Sequence, residues 1–112
     1  MKILYVENHA VFAAQVCQHF LSAHSIRVVP SLAGARDALA AGSYDLLLVD
    51  YDLDDGKGDA LVRSCRIQYP ELRIVATSSH ETGNKALLDA GAWAVCGKME
   101  FAKIADVIAN LG

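Results

Sequence analysis

No apolar run in this sequence is long enough to cross a membrane. Its apolar stretches are much shorter than the roughly 20 residues that span a bilayer. The first residues, MKILYVENHA, also lack the apolar segment and small-residue cleavage site of a secretion signal. We therefore expect a cytoplasmic protein with no membrane partner.

The sequence also has few cysteines and no excess of positive charge. The three cysteines, Cys17, Cys65 and Cys96, are odd in number and form no CxxC pair, so we expect small buried side chains rather than disulfides or a zinc site. The net charge is -3, from 10 basic and 13 acidic residues. Such a chain has no broad positive field for a phosphate backbone, which argues against direct nucleic-acid binding.

Apolar side chains, in contrast, are abundant. Hydrophobic residues make up 54% of the 112 positions, and charged residues only 21%. This length and composition predict one domain with one core, covering residues 1–112. The initial methionine and the end just after the last apolar turn suit a stand-alone domain, and a domain cut from a longer protein could end there too.

Short apolar runs alternate with helical patterns along the whole chain. The runs are KILYV (2–6), IRVV (26–29), DLLLVD (45–50), RIVATS (73–78) and WAVC (93–96). Their length and weak polar alternation are typical of strands buried on both faces. With right-handed crossovers they predict an α/β fold, a single doubly wound five-stranded parallel sheet with about five helices.

Apolar periodicity and capping residues predict the helices. Phe12, Val16 and Phe20 recur at helical spacing, and a second apolar stripe runs over 104–111. The other helices are expected at about 31–41, 57–68 and 83–90, with Ser31 as an N-cap and Gly42 and Gly91 as C-terminal stops.

Polar side chains follow the ends of four predicted strands. Glu7 and Asn8 follow the first strand, Asp50 ends the third, Ser78 ends the fourth and Lys98 follows the fifth. Open parallel sheets bind ligands outside the carboxyl ends of their strands. We therefore expect carboxylates, a hydroxyl and an ammonium group to meet at one edge of the sheet.

These residues, in this order, resemble the receiver domain of two-component response regulators over nearly the whole chain. The matching segments are VENH (6–9), VDYDLDDG (49–56), VATSSH (75–80) and GAWAVCGK (91–98). Each segment alone is a weak signal, because acidic pairs and lysines are common where loops begin. All four in register on βα units form a specific pattern. The resemblance implies the flavodoxin-like (βα)5 fold of the chemotaxis regulators.

The resemblance further implies that Asp50 is a phosphoacceptor. Its carboxylate would take a phosphoryl group from a phosphohistidine on a sensor histidine kinase or a histidine phosphotransfer protein, which gives an acyl phosphate. Mg²⁺ would let the two anions approach each other. The implied metal ligands are Glu7, Asp50 and the backbone carbonyl of Asp52, with Asn8 offering only a neutral oxygen.

The remaining implied roles concern switching. Lys98 would bind the phosphoryl oxygens, and a hydroxyl would hydrogen-bond to one of them. Spacing from the strand start favours Ser78 for this hydroxyl over its neighbours Thr77 and Ser79. Its movement would change contacts with a downstream protein target. The chain would then be no enzyme beyond its own phosphoryl transfer and dephosphorylation, and homodimer formation stays open.

Several nearby residues have a simpler structural interpretation. Asp54 and Asp55 are expected in a turn and at a helix N-terminus, where anionic side chains are favoured, rather than in catalysis. His9 is expected in the first turn of a helix rather than as a metal ligand. For Trp93, core packing and a partner contact both remain open.

Three positions depart from the usual receiver pattern. Asn8 stands where most receivers have a second acid, which lowers the expected metal affinity. Val95 replaces the aromatic residue that usually reports phosphorylation, and Met99 replaces the proline that usually follows the lysine. The segment 78–91 is also slightly short, so we expect a reduced helix there.

Two other functions stay open on sequence grounds. The same departures favour a receiver-like interaction module that works without phosphorylation. A phosphatase of the haloacid dehalogenase type would use Asp50 as nucleophile and Asp52 as general acid, although the chain is small and no acidic pair follows Lys98. A calcium-binding EF-hand loop is disfavoured, because Asp55 and Leu61 would occupy its glycine and glutamate positions.

Overall fold

A computed structural model describes residues 1–111, and its centre is a five-stranded parallel sheet. The sheet strands are β1 (Lys2–Val6), β2 (Ser25–Val29), β3 (Leu46–Val49), β6 (Arg73–Ala76) and β7 (Ala94–Val95). Their order is β2-β1-β3-β6-β7, and every neighbouring pair is parallel. Two short strands, β4 (Asp52–Leu53) and β5 (Gly56–Lys57), form an antiparallel hairpin after β3.

Helices follow the strands of the sheet along the chain. They are α1 (Ala10–Phe20), α2 (Leu32–Ala41), α3 (Gly58–Gln68), α4 (Glu81–Ala90), a 3₁₀ helix (Lys98–Lys103) and α5 (Ile104–Ala109). This architecture confirms the predicted doubly wound α/β fold. The predicted shortening of the helix within 78–91 is wrong, since α4 has as many residues as α2. Within 1–111, no helix combines the length and the hydropathy that a membrane span requires.

The sheet separates two apolar cores. Alternate residues of a strand point to opposite faces. Tyr5, Leu48 and Val75 pack with α1 and α5 on one side, which we term the α1/α5 face. Val6, Val49 and Ala76 pack with α2, α3 and α4 on the other side, which we term the α2–α4 face. This alternation continues past the strand ends and decides where the polar residues there point.

The edge strands differ from the prediction that every strand is buried on both faces. β2 pairs with β1 alone, and only Val29 among its residues is buried. β7 pairs with β6 alone and is half-buried. An apolar strand composition therefore predicted a strand correctly, but not its place in the sheet, because strand order decides which strands have two neighbours.

Burial of the remaining apolar side chains follows the prediction in part. Phe20, at the end of the predicted stripe on α1, and Trp93 are 41% and 42% exposed. Cys65 and Cys96 are buried, as expected, whereas Cys17 is only half-buried, and all three are free. Trp93 therefore does not fill the core.

Capping residues end the helices as predicted. Ser31 Oγ accepts a hydrogen bond of 3.0 Å from Gly34 N–H at the start of α2. Gly42 follows α2, and Gly91 ends α4 with a φ of 124°, which glycine adopts without strain.

Asp55 caps α2, which precedes it in the chain, and not α3, which follows it. Its carboxylate accepts hydrogen bonds of 2.7 and 3.0 Å from the backbone N–H groups of Leu32 and Ala33, the first residues of α2. These bonds tie the β4–β5 hairpin to α2 across the sheet edge. The bonds from Ala33 and Leu32 lower the pKa of the Asp55 carboxyl.

We expect Asp55→Asn to lower the melting temperature by several degrees at pH 7, because α2 loses a charged cap. A carboxyl with a depressed pKa stabilises the fold above the ordinary aspartate pKa of about 3.9 and loses this effect as the pH falls through the lower folded value. The difference from the native chain should therefore disappear in acid. Asp37→Asn, on the exposed side of the same helix, is the matched control. Equal melting temperatures for the two variants would contradict the capping role.

Candidate functional site

Three strands bring charged residues to one point at the carboxyl edge of the sheet. Glu7 follows β1, Asp50 follows β3 and Lys98 begins the 3₁₀ helix after β7. Backbone N–H groups of Glu7 and Asp50 donate to the carbonyls of Val29 and Val6, which continues the ladder beyond the strand ends. The backbone is therefore held by the sheet, and strand alternation directs both carboxylates to the α1/α5 face.

A buried ion cluster forms there. The Lys98 ammonium nitrogen lies 2.9 Å from Glu7 Oε1 and 3.1 Å from Asp50 Oδ2. It also lies 5.3 Å above the centre of the Phe12 ring, within cation–π range. The Glu7 and Asp50 side chains are 0% and 5% exposed, and that of Lys98 is 12% exposed. Two carboxylates thus share one ammonium group away from bulk water.

The charges of the cluster perturb one another. Burial raises the pKa of the Asp50 carboxyl, and the neighbouring charge of Glu7 adds to this, while Lys98 and the Tyr51 N–H oppose it. Burial alone would lower the pKa of Lys98, but its hydrogen bonds to Glu7 and Asp50 outweigh burial, and the pKa lies above its ordinary value. Lys98 therefore stays protonated between the two carboxyl groups.

His9 also belongs to this cluster. It is the N-cap residue of α1, not a first-turn residue, and its backbone N–H and Nδ1 each lie 3.0 Å from Glu7 Oε2. Its Nδ1 is 3.3 Å from Lys98 Nζ. Donor atoms of Glu7, His9 and Asp50 all lie within 4.8 Å of one another. The signal that could have predicted this was the spacing of Glu7 and His9 around the turn between β1 and α1.

The other predicted metal ligands make different contacts. Asn8 Nδ2 donates to Asp54 Oδ1 at 3.3 Å, whereas Asn8 Oδ1 is buried without a hydrogen-bond partner. The Asp52 side chain forms an ion pair with Lys57 on the opposite strand of the hairpin. Asp52 therefore lies outside the group of carboxylates around Lys98, so any metal contact of this residue would have to use its backbone.

Ser78 does not share the face of Asp50. It is buried, its Oγ accepts the His80 N–H at 3.1 Å, and its backbone N–H and C=O bind the Asn84 side chain at 2.9 and 3.0 Å. A Cβ on Gly83 of α4 would lie only 2.6 Å from Ser78 Oγ, so this hydroxyl packs against α4 on the α2–α4 face.

Thr77 is the hydroxyl residue on the face of Asp50. Its N–H donates to the Val49 carbonyl at 2.9 Å, which places Thr77 beside Asp50 in the ladder, and Val75, two residues earlier, packs on the α1/α5 face. The Thr77 side chain is fully buried, and Oγ1 has no hydrogen-bond partner. Counting strand parity from the core residues would have favoured Thr77 over Ser78.

A glycine keeps α3 close to Asp50. A Cβ on Gly58 would lie 2.1 Å from the Asp50 carbonyl oxygen, and Gly58 N–H donates to the Tyr51 carbonyl at 2.7 Å. Only glycine fits this approach, so the first residue of α3 packs directly against the backbone that carries the Asp50 carboxylate.

The donor set suits a divalent cation. Glu7 and Asp50 supply carboxylate oxygens that lie within 4.8 Å of each other. Oxygen donors of this kind are those that Mg²⁺ prefers. The Lys98 ammonium lies among them, which shows that the cluster accommodates a cation.

The fold matches solved structures, although no protein-family model and no curated protein matches the sequence. The response regulator TrrA from Thermotoga maritima, in complex with Mg²⁺-BeF, has a TM-score of 0.88 at 16% identity, over 99% of this chain and 98% of that chain. A Francisella response regulator receiver domain gives 0.85 at 16% identity, over 98% and 94%. A Burkholderia pseudomallei response regulator protein with a phosphorylated aspartic acid gives 0.83 at 18%, over 99% and 66%. The chain has the receiver fold, as predicted.

We expect Lys98→Met to reduce the free energy of unfolding at pH 7 by about 3 kcal/mol, because breaking a buried ion pair leaves an uncompensated charge. Without Lys98, the pKa of Asp50 should rise further above its ordinary value. Stability is lost as the pH rises through a raised folded pKa, so the variant should regain stability on acidification from pH 7 towards the ordinary aspartate pKa of about 3.9. Urea unfolding across this pH range, with exposed Lys103→Met as control, measures both effects. A loss that does not depend on pH would contradict this account.

Proposed function

We propose that the chain is a cytoplasmic phosphoacceptor receiver domain of a two-component phosphorelay, with Asp50 as the phosphoacceptor. The supporting observation is the buried carboxylate of Asp50, at the carboxyl end of the central strand, held 3.1 Å from Lys98 beside a second carboxylate, Glu7. The receiver fold of the chain makes this arrangement meaningful, since ligands bind at this edge of doubly wound sheets.

The proposed reaction is an in-line transfer to a carboxylate oxygen. An Asp50 oxygen would form the new P–O bond while the P–N bond of a phosphohistidine breaks, and the leaving imidazole would take up a proton. Asp50 Oδ1 accepts the Tyr51 N–H at 2.8 Å and Oδ2 contacts Lys98, so both oxygens are held in fixed directions. The donor would be a sensor histidine kinase or a histidine phosphotransfer protein.

Two groups of the chain would receive the phosphoryl oxygens. Lys98 carries the positive charge that a phosphoryl group needs, and its ammonium is already adjacent to Asp50. Thr77 Oγ1, which is buried without a partner on the same face, would gain a hydrogen bond to a phosphoryl oxygen. On these contacts we propose Thr77 for the role that the sequence assigned to Ser78.

Mg²⁺ is the proposed cofactor. Glu7 and Asp50 would bind it through their carboxylates, with further oxygens from Asn8 and from the backbone of Asp52. When bound, the ion would supply the positive charge that lets a phosphoryl group approach two buried carboxylates. Asn8 contributes no charge, so we propose weaker Mg²⁺ binding than a receiver with two acids after β1 would show.

The proposed output is a change in protein contacts. Val95 is a small residue on the α2–α4 face, so no aromatic ring at this position can report phosphorylation. The groups that would respond are Thr77, in the loop before α4, and Lys98, at the start of the 3₁₀ helix. Phe101 within that helix stacks on Tyr5 at 5.8 Å, which connects it to the core. A downstream protein would bind the altered surface.

The haloacid dehalogenase alternative receives less support. Its general acid would be Asp52, yet that side chain is paired with Lys57 on the hairpin. A hydrogen bond from Lys57 lowers the pKa of the Asp52 carboxyl, which is unfavourable for a proton donor.

The first test is the intact mass after incubation with acetyl phosphate. We expect one phosphoryl group on the native chain with Mg²⁺, none with a chelator and none on Asp50→Asn. Asp89→Asn, at an exposed position of α4 away from the site, is the matched control and should leave Asp50 free to react. Binding of beryllofluoride excludes an adduct that hydrolyses too quickly to accumulate. Absence of both signals, or an adduct that persists in Asp50→Asn, would contradict the proposal.

A second test separates the two hydroxyl residues. Thr77→Val keeps the side-chain shape but removes the donor, and we expect the phosphorylation rate to fall roughly tenfold or more, since a donor to a developing anion is lost. Ser78→Ala should change this rate less than about twofold, because its hydroxyl faces α4. Rates come from the time course of the mass adduct. The opposite ranking would return the role to Ser78.

A further inference from the structure

We infer that His9 is a metal ligand, and that it makes this site prefer divalent transition ions such as Co²⁺ and Ni²⁺ over Mg²⁺. The inference concerns the metal site of the proposed function and does not depend on phosphorylation. It rests on the position of His9 Nδ1, on the surroundings of Lys98 and on the replacement of an acid by Asn8.

A cation already occupies the centre of the site. Lys98 Nζ lies 2.9 Å from Glu7 Oε1, 3.1 Å from Asp50 Oδ2 and 3.3 Å from His9 Nδ1. The ligand atoms of Glu7, His9 and Asp50 therefore surround one small volume, since all three lie within 4.8 Å of one another. The imidazole nitrogen is thus one of the donors that surround the cation position, together with both carboxylates.

The contacts of His9 Nδ1 conflict without a shared cation. With a proton on Nδ1, the ring donates to Glu7 Oε2 at 3.0 Å but cannot accept from Lys98. With the proton on Nε2, the ring accepts from Lys98 but presents a lone pair to Glu7 Oε2. A metal ion bound by Nδ1 and the Glu7 carboxylate removes this conflict, because both atoms would then direct lone pairs at one positive charge.

His9 can reach a metal ion without rearrangement of the backbone. Its own N–H donates to Glu7 Oε2 and its carbonyl accepts the Ala13 N–H at 3.0 Å, so the start of α1 holds the residue beside Glu7. The side chain is 67% exposed, which leaves the ring free to adjust its rotamer.

The donor chemistry then decides the preferred ion. Glu7 and Asp50 bring two negative charges and Lys98 returns one positive charge, while Asn8 is neutral. A hard ion that depends on anionic oxygens, such as Mg²⁺, gains little from this set. Transition ions bind imidazole well, and affinity at mixed nitrogen and oxygen sites rises from Mn²⁺ through Co²⁺ to Ni²⁺. His9 therefore offsets the missing acid for these ions only.

The test compares Co²⁺ and Mg²⁺ binding by calorimetry on the metal-free full chain. For His9→Ala we expect Co²⁺ affinity to fall roughly tenfold or more and Mg²⁺ affinity to change less than about twofold. His19→Ala, an exposed histidine at the other end of α1, is the matched control and should change neither. Proton NMR of the Co²⁺ form should show strongly shifted imidazole signals that are absent in His9→Ala.

The outcomes separate the two proposals. Equal losses of Co²⁺ and Mg²⁺ affinity in His9→Ala would mean that His9 only positions Glu7, and no loss of Co²⁺ affinity would remove it from the site, so either result overturns the inference. If acetyl phosphate leaves no adduct but Co²⁺ binding still depends on His9, the metal inference stands while the phosphoacceptor function fails. If phosphorylation succeeds and Co²⁺ binding ignores His9, only the inference fails.

Discussion

The site depends on one interaction, the contact of the Lys98 ammonium with the carboxylates of Glu7 and Asp50. Glu7, Asp50 and Lys98 follow β1, β3 and β7, so the ion cluster joins the ends of three strands. Without the ammonium group, the two carboxylates would repel each other. Taking two carboxylates out of water is costly, and a single buried cation offsets part of that cost. β1 and β3 are neighbours in the sheet, which places Glu7 near Asp50. Lys98 follows β7, two strands away from β3, and its side chain extends to both carboxylates.

The same contact supports the proposed ligand binding. Only one ammonium group lies between the two carboxyl groups, and burial weakens screening by water, so a further cation would be attracted to the cluster under the proposed function. Thr77 Oγ1, on the same face as Asp50, is a further buried group without a hydrogen-bond partner. These groups reduce stability in the free protein, and a metal ion or a phosphoryl group would satisfy them. The apolar core below this edge offsets the loss of stability, since Leu46–Val49 and the ends of β1 and β6 are fully buried.

Sequence analysis predicted the fold well because its signals are local. Uncharged runs of strand length, helical apolar stripes and capping residues such as Ser31 need only near neighbours, and their order determines a parallel sheet. It was less accurate where distant contacts decide. The burial of β2 depends on its edge position. The α2 cap at Asp55 depends on the β4–β5 hairpin, which brings Asp55 to Leu32 and Ala33, 23 and 22 residues earlier in the chain.

Residue types and their order were sufficient to predict the α/β class, most helices and strands, and the three charged residues that converge at the carboxyl edge, because the strand ends of a parallel sheet share one edge. Tertiary contacts were needed to establish that His9 Nδ1 lies against Glu7 and Lys98, that Asp52 pairs with Lys57, and that Thr77 shares the face of Asp50. Each of these outcomes depends on the direction of a side chain. A one-residue shift along a strand turns a side chain to the opposite face, and the N-cap position of His9 turns its ring back towards Glu7, so these outcomes depend on backbone geometry that residue types alone do not specify.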